Sequence, residues 1–110
     1  MKLVTVPTPI TIKLVTREGQ EIAEPVEFKK FIINAIDSYQ EGIKTIKQLR
    51  QASKIVSIAE GSTDTMVFED EDYDLLKAAT EAFSPKLFPK IGMQYLPYHD
   101  VIDKAETLKK

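Results

Sequence analysis

The chain contains no cysteine and only one histidine, His99. Without thiols there is neither a disulfide framework nor a thiolate metal site, and the composition fits a reducing interior. A lone imidazole excludes a multi-histidine metal centre within one chain. The four glycines are scattered at positions 19, 42, 61 and 92, so no glycine-rich phosphate loop is present. No run of about 20 apolar residues occurs, which excludes a transmembrane helix. The N-terminus lacks the basic-then-apolar pattern of a secretory signal peptide. Excess charge of one sign is missing too: the net charge is −2, which argues against broad nucleic-acid binding.

What is present is the composition of an ordinary globular domain. Of 110 residues, 43% are apolar and 29% charged, enough to build one core over residues 1–110. The charge is uneven along the chain. Residues 1–55 carry nine basic against six acidic side chains, and residues 56–110 carry six against eleven. The simpler reading is that the two halves face each other and partly compensate. The sharper one is two separate patches for partners.

The stretch from Met66 to Phe83 organises the rest. Thr65-Met66-Val67-Phe68 suits a short, half-buried strand. Four acids follow, Glu69 to Asp72, where a helix N-terminus with its free N–H groups favours carboxylates. Asp70 is the expected N-cap. Tyr73, Leu76, Thr80 and Phe83 then fall on one helical stripe, and Ser84-Pro85 stops it.

Upstream, Met1–Pro9 carries Pro7 and Pro9 and reads as an extended arm or edge strand. Ile10–Thr16 and Glu21–Glu24 alternate as strands around an Arg17–Gln20 turn, with Gly19 free to take positive φ, and make a β-hairpin. Glu27–Gln40 is the clearest helix, with Phe28, Phe31, Ile32, Ala35, Ile36 and Tyr39 on one face. Ile43–Glu60 is a second, with Ile43, Ile46, Leu49, Ala52, Ile55 or Val56, and Ala59 on its apolar face. Leu96–Leu108 closes the chain as a helix begun at Pro97, and Lys109-Lys110 suits a helix C-terminus. The expected fold is α+β: the N-terminal hairpin and the one further short strand in a three-stranded sheet, with about four helices packed on one face.

Each polar cluster has a plain structural reading that ranks ahead of a chemical one. The acid run Glu69–Asp74 lacks the alternate oxygen ligands, central glycine and distal glutamate of a Ca²⁺ loop, so capping is preferred. His99 could meet Asp103 one turn on, and a surface contact is expected. Lys44, Lys47 and Lys54, with Arg50 beside them, form a basic stripe without interleaved aromatics, and a solvated face is expected. Phe83–Tyr98 is richest in apolar side chains: Phe88, Met93, Tyr95 and Tyr98 lie between prolines. They either wrap the core or form a patch for another protein.

Three short motifs carry a resemblance. Phe28-Lys29-Lys30-Phe31, the Phe68–Leu76 acidic strand-to-helix step, and Gln94-Tyr95-Leu96-Pro97-Tyr98 make the chain resemble small uncharacterised proteins of tailed bacteriophages, over roughly residues 10–106. The resemblance implies a viral accessory or assembly protein working through contacts, in the host cytoplasm or the virion. It carries over no catalytic residue. The expectation is therefore a non-enzymatic protein–protein interaction module, a phage accessory, assembly or minor virion protein, with no cofactor and no metal. Its partner surface would draw on Lys44, Lys47, Arg50, Lys54, Phe88, Met93, Tyr95 and Tyr98. The alternative is a small nucleic-acid-binding or host-factor inhibitor protein using the 44–54 stripe.

Overall fold

The structure is a computed structural model and describes residues 1–108. In chain order it comprises strands β1 (Lys2–Thr5), β2 (Ile10–Val15) and β3 (Glu21–Val26), then helices α1 (Phe28–Asp37) and α2 (Ile46–Gly61). Strand β4 (Thr65–Phe68), helix α3 (Asp70–Phe83), the one-turn helix α4 (Pro89–Gly92), helix α5 (Leu96–Asp103) and strand β5 (Glu106–Thr107) follow. The α+β class, the hairpin, the further strand and the helices are those the sequence predicts. Among the described residues no helix is long and apolar enough to cross a membrane.

The sheet is partitioned differently from expectation. The N-terminal segment is not an arm: β1 is the middle strand of a three-stranded antiparallel sheet ordered β4-β1-β5. Pro7 and Pro9 lie beyond its end, so neither removes a ladder donor. Val4 pairs with Met66, and both are buried. The hairpin β2–β3 stays a separate two-stranded sheet and does not pair with β4. Gly19 holds φ +80° in its turn, a conformation glycine takes without strain. Pro25 sits inside β3, opposite Thr11, rather than ending it. The Thr16 N–H donates to the Gln20 carbonyl at the turn. By antiparallel alternation the Thr11–Pro25 pair is therefore a non-hydrogen-bonded one, and the missing N–H interrupts nothing.

Helix α1 follows its stripe: Phe28, Phe31, Ile32, Ala35 and Ile36 are all buried. Helix α2 starts three residues later than its apolar pattern suggests. Thr45 Oγ1 accepts from the Gln48 N–H at 3.1 Å while Gln48 Oε1 accepts from the Thr45 N–H at 3.1 Å. This reciprocal capping box fixes the helix start. Its buried face narrows to Ala52, Ile55 and Ala59, and Ile46 and Leu49 are exposed. The reason is length: α1 ends at Asp37, leaving beside α2 a groove of about 600 Å³ that Leu49 lines without being covered.

Helix α3 is capped by Glu69, not Asp70, because the Tyr73 N–H already bonds the Glu69 carbonyl at 2.8 Å. Asp70 instead lies 3.0 Å from the Met1 ammonium. The last helix stops at Asp103, and the chain returns as β5, where the Leu108 N–H bonds the Met1 carbonyl. Ala105 and Leu108 are thus not helical. The expectation for Lys109 and Lys110 lies outside the described residues. One core joins β1, β4, α1, α2, α3 and α5, centred on Phe28, Phe31, Phe68, Leu76 and Tyr98.

Candidate functional site

The segment from Ser84 to His99 combines inward rings with outward apolar side chains. Ser84 is the C-cap of α3, and Pro85 cannot continue the helix. The chain then makes a 3₁₀ turn over Ser84–Lys86, the single turn α4, and a second 3₁₀ turn over Met93–Tyr95 that runs into α5. Gly92 allows α4 to close on the end of α3. A Cβ there would stand 2.6 Å from the Ser84 carbonyl oxygen.

These turns divide the aromatic segment in two. Tyr98 is fully buried, its ring 5.1 Å from Phe28 in an edge-on arrangement. Tyr95 is half-buried and stacks on Phe31, centroids 5.1 Å apart. Phe83 and His99 complete the ring cluster around Phe31. Phe88, Met93 and Leu96 instead face solvent, with 80%, 59% and 55% of their surface exposed. Of the four aromatic-segment residues expected at a partner surface, Phe88 and Met93 are exposed. Tyr98 is a core residue, and Tyr95 is mainly so. Helical spacing held the signal: Tyr95, Tyr98 and Ile102 recur at three- and four-residue steps, and Met93 and Leu96 occupy the opposite face.

The buried tyrosine also has a polar task. Tyr98 OH accepts from the Ile10 N–H at 3.0 Å and donates to the Val26 carbonyl. Ile10 and Val26 are cross-strand partners, so the hydroxyl bridges the last rung of the hairpin. Gln94 does the same on the outer edge of β2. Its Oε1 accepts from the Lys13 N–H at 2.8 Å and its Nε2 donates to the Lys13 carbonyl at 3.0 Å. The segment therefore clips the hairpin to the helices.

Beneath Met93 and Leu96 lies a mainly apolar groove of about 380 Å³, walled by Pro85, Leu87 and Pro89 and floored by Ser84 and His99. Ser84 Oγ and His99 Nε2 are 2.6 Å apart. The expected His99–Asp103 contact is absent, since Asp103 pairs with Lys77 at 3.7 Å. Burial holds the His99 imidazole below its usual pKa, against the opposing pull of Asp103, Glu81 and Asp100. No hydrogen bond links a carboxylate to the ring among the described residues. The Ser84–His99 bond satisfies two polar groups where apolar walls would otherwise strand them. Nothing in the sequence marks this pair, because its partners are fifteen residues apart across two turns.

The basic stripe faces the acidic start of α3. Lys47 approaches Glu71 at 3.7 Å and Lys54 approaches Asp72 at 3.8 Å. Lys44 and Arg50 make no ion pair among the described residues. Asp72 is buried in the first turn of α3, and burial raises its carboxyl pKa, with Lys54 pulling it back. The stripe is thus partly neutralised, as the unequal charges of the two halves suggest. Among the described residues no group of His, Asp and Glu is arranged to hold a metal ion. Comparison of the chain with protein families, with curated proteins and with solved structures finds no match.

Proposed function

We propose that the protein is a non-enzymatic interaction module whose contact surface is the patch of Phe88, Met93 and Leu96 around the Ser84–His99 groove. One observation carries this reading: Phe88, Met93 and Leu96, three large apolar side chains of the one short segment 84–99, are all exposed, Phe88 to 80%. Exposed apolar side chains grouped in one segment mark contact surfaces more than singly scattered ones do. Aromatic anchors beside a pocket supply most of the binding energy at interfaces. The exposed Ile46 and Leu49 of α2 give a second apolar face. The setting, a phage accessory, assembly or minor virion protein, rests on the three short motifs described above. In the basic stripe, two of the four cations already face carboxylates, which leaves it a weaker surface for nucleic acid.

The test is a paired capture experiment. The full chain and its Phe88→Asp/Leu96→Asp variant are immobilised and exposed to lysates of phage-infected bacteria. Both sites are exposed, so each substitution should change stability by no more than about 0.5 kcal/mol. The reading expects proteins retained by the parent chain and lost with the variant. Identical retention by both, or no retention together with a strictly monomeric parent, would refute it.

A further inference from the structure

We infer that the outer edge of β3 is a docking site for an extended, basic segment of another protein, which adds to the hairpin as a third, antiparallel strand. Gln94 identifies the backbone groups involved. Its side-chain amide bonds both the N–H and the carbonyl of Lys13, so those two groups point away from β3. Lys13 pairs with Ala23, and in an antiparallel pair of this kind both residues turn their polar groups outward. Ala23 therefore directs its N–H and carbonyl to the far side of β3. By the two-residue period so does Glu21, and Pro25 directs its carbonyl there. Gln94 closes the β2 edge at Lys13, whereas the first five residues of β3 are exposed. Among the described residues no hydrogen bond reaches the outer groups of Glu21 or Ala23. Pro25 has no N–H to offer and ends the open ladder after Ala23. An antiparallel strand can exchange two bonds with each of Glu21 and Ala23, which is how sheet edges bind extended peptides. This edge is separate from the Phe88 patch, whose segment clips the opposite side of the hairpin through Gln94.

Charge selects the occupant. Strand β3 carries Glu21 and Glu24 and no base, and Glu18 stands in the turn before it. None of the three is in an ion pair among the described residues, whereas the next acid, Glu27, pairs with Lys29. A second copy would bring acids to acids along this edge, and lysine or arginine side chains would compensate them. Alternation fixes the register. Glu24 and the exposed Ile22 share one face of the hairpin. An antiparallel segment meets Glu24 first, then Ala23, Ile22 and Glu21. The sequence that fits, read from its N-terminus, is basic, any residue, apolar, basic.

The probe is the peptide Ser-Thr-Lys-Thr-Val-Arg-Thr-Ser, titrated to about millimolar concentration onto the isotope-labelled full chain and read by NMR. The expected result is shifted and more slowly exchanging amides at Glu21 and Ala23, with changes confined to β3 and its turn. N-methylation of the threonine that faces Ala23 removes the donor to the Ala23 carbonyl and should abolish binding. Ala23→Pro removes the outward N–H without touching the ladder to β2, as Pro25 does, and should weaken binding about tenfold. Amide shifts of Ile12 and Leu14 report whether the hairpin of that variant is intact, and the N-methylated peptide makes the same test on the parent chain. Glu24→Lys should weaken binding about fivefold. A peptide with glutamate in place of its lysine should bind that variant better than it binds the parent. No change in β3 at the highest peptide concentration, undiminished binding of the N-methylated peptide, or a charge swap that restores nothing overturns the proposal. Amides of Glu21 and Ala23 that slow on concentrating the chain alone make the occupant a second copy and overturn it as well.

Discussion

Replacing Tyr98 by phenylalanine removes one oxygen atom and leaves the buried ring among Phe28, Phe31 and Tyr95. The change is therefore almost purely one of hydrogen bonding. The hydroxyl joins the Ile10 N–H to the Val26 carbonyl at the open end of the hairpin. Two bonds are lost, each with a net worth of about 0.5–1.5 kcal/mol, so Tyr98→Phe should cost about 1–3 kcal/mol of stability. Each kcal/mol lowers Tm by about 4 °C for a chain of this size.

Location makes the prediction sharper than magnitude. The hairpin touches the main sheet through no ladder of its own, so the hydroxyl is among the few polar ties that hold it. Amide exchange in Tyr98→Phe should accelerate at Ile10, Ile12 and Leu14 by more than the global loss. In β1 and β4 it should accelerate by no more than that loss. Urea unfolding and exchange read by NMR give both quantities. If stability falls by less than about 0.5 kcal/mol and Ile10 exchanges as before, the ladder alone holds the Ile10–Val26 rung and the tie through the hydroxyl is refuted.

Four further outcomes are expected. His99 has a folded pKa below its ordinary 6.5, so the unfolded chain takes up the proton first. Stability should decline as pH falls from about 6.5 through the folded value, and His99→Gln should flatten that decline in urea titrations. Asp72 tilts the other way: its folded pKa is raised above 3.8, so stability declines as pH rises from 3.8 through the folded value, and Asp72→Asn should be neutral or stabilising at pH 7. Gly92→Ala drives a methyl to 2.6 Å from the Ser84 carbonyl and should cost about 1–3 kcal/mol in the same assay; a neutral result would mean α4 does not close on α3. Lys47→Glu should change stability by under about 1 kcal/mol, the range of exposed ion pairs, and the parent chain should give no gel shift with DNA or RNA at low salt. A shift abolished by that substitution would make the basic stripe the functional surface.

The parts of the fold legible in the sequence are those set by local pattern. The α1 stripe from Phe28 to Ile36, the glycine turn at Gly19 and the strand-to-helix step at Phe68–Tyr73 each carry their own periodicity or turn chemistry. The sheet membership did not show. Pro7 and Pro9 suggest an edge, and only the pairing of Lys2–Thr5 on both sides with residues sixty or more positions away makes that segment central. Helix α2 shows how two local signals compete: its apolar spacing begins at Ile43, but the Thr45–Gln48 capping box sets the start. The proposed contact patch is half legible. Phe88 and Met93 could be named as apolar residues in a proline-rich segment. That Tyr95 and Tyr98 turn inward depends on α1 presenting Phe28 and Phe31 to them, a contact over more than sixty residues.

Core and proposed contact face are two sides of the same turns in residues 84–99. Tyr95 and Tyr98 point in, Met93 and Leu96 point out, and they alternate along one short stretch of helical backbone. The direction of one set fixes the direction of the other. Tyr95 is stacked on Phe31, Tyr98 is bonded to both hairpin strands, and α4 is held against the end of α3 at Gly92. An apolar patch on an unanchored loop would lose about 0.5–1.5 kcal/mol of entropy for each side chain ordered on association, besides ordering its backbone. Here the backbone is ordered by the core, so that part of the loss falls at folding. A small apolar surface can then make a specific and reversible contact. For the same reason, loosening Tyr95 or Tyr98 would disorder the patch although neither belongs to it.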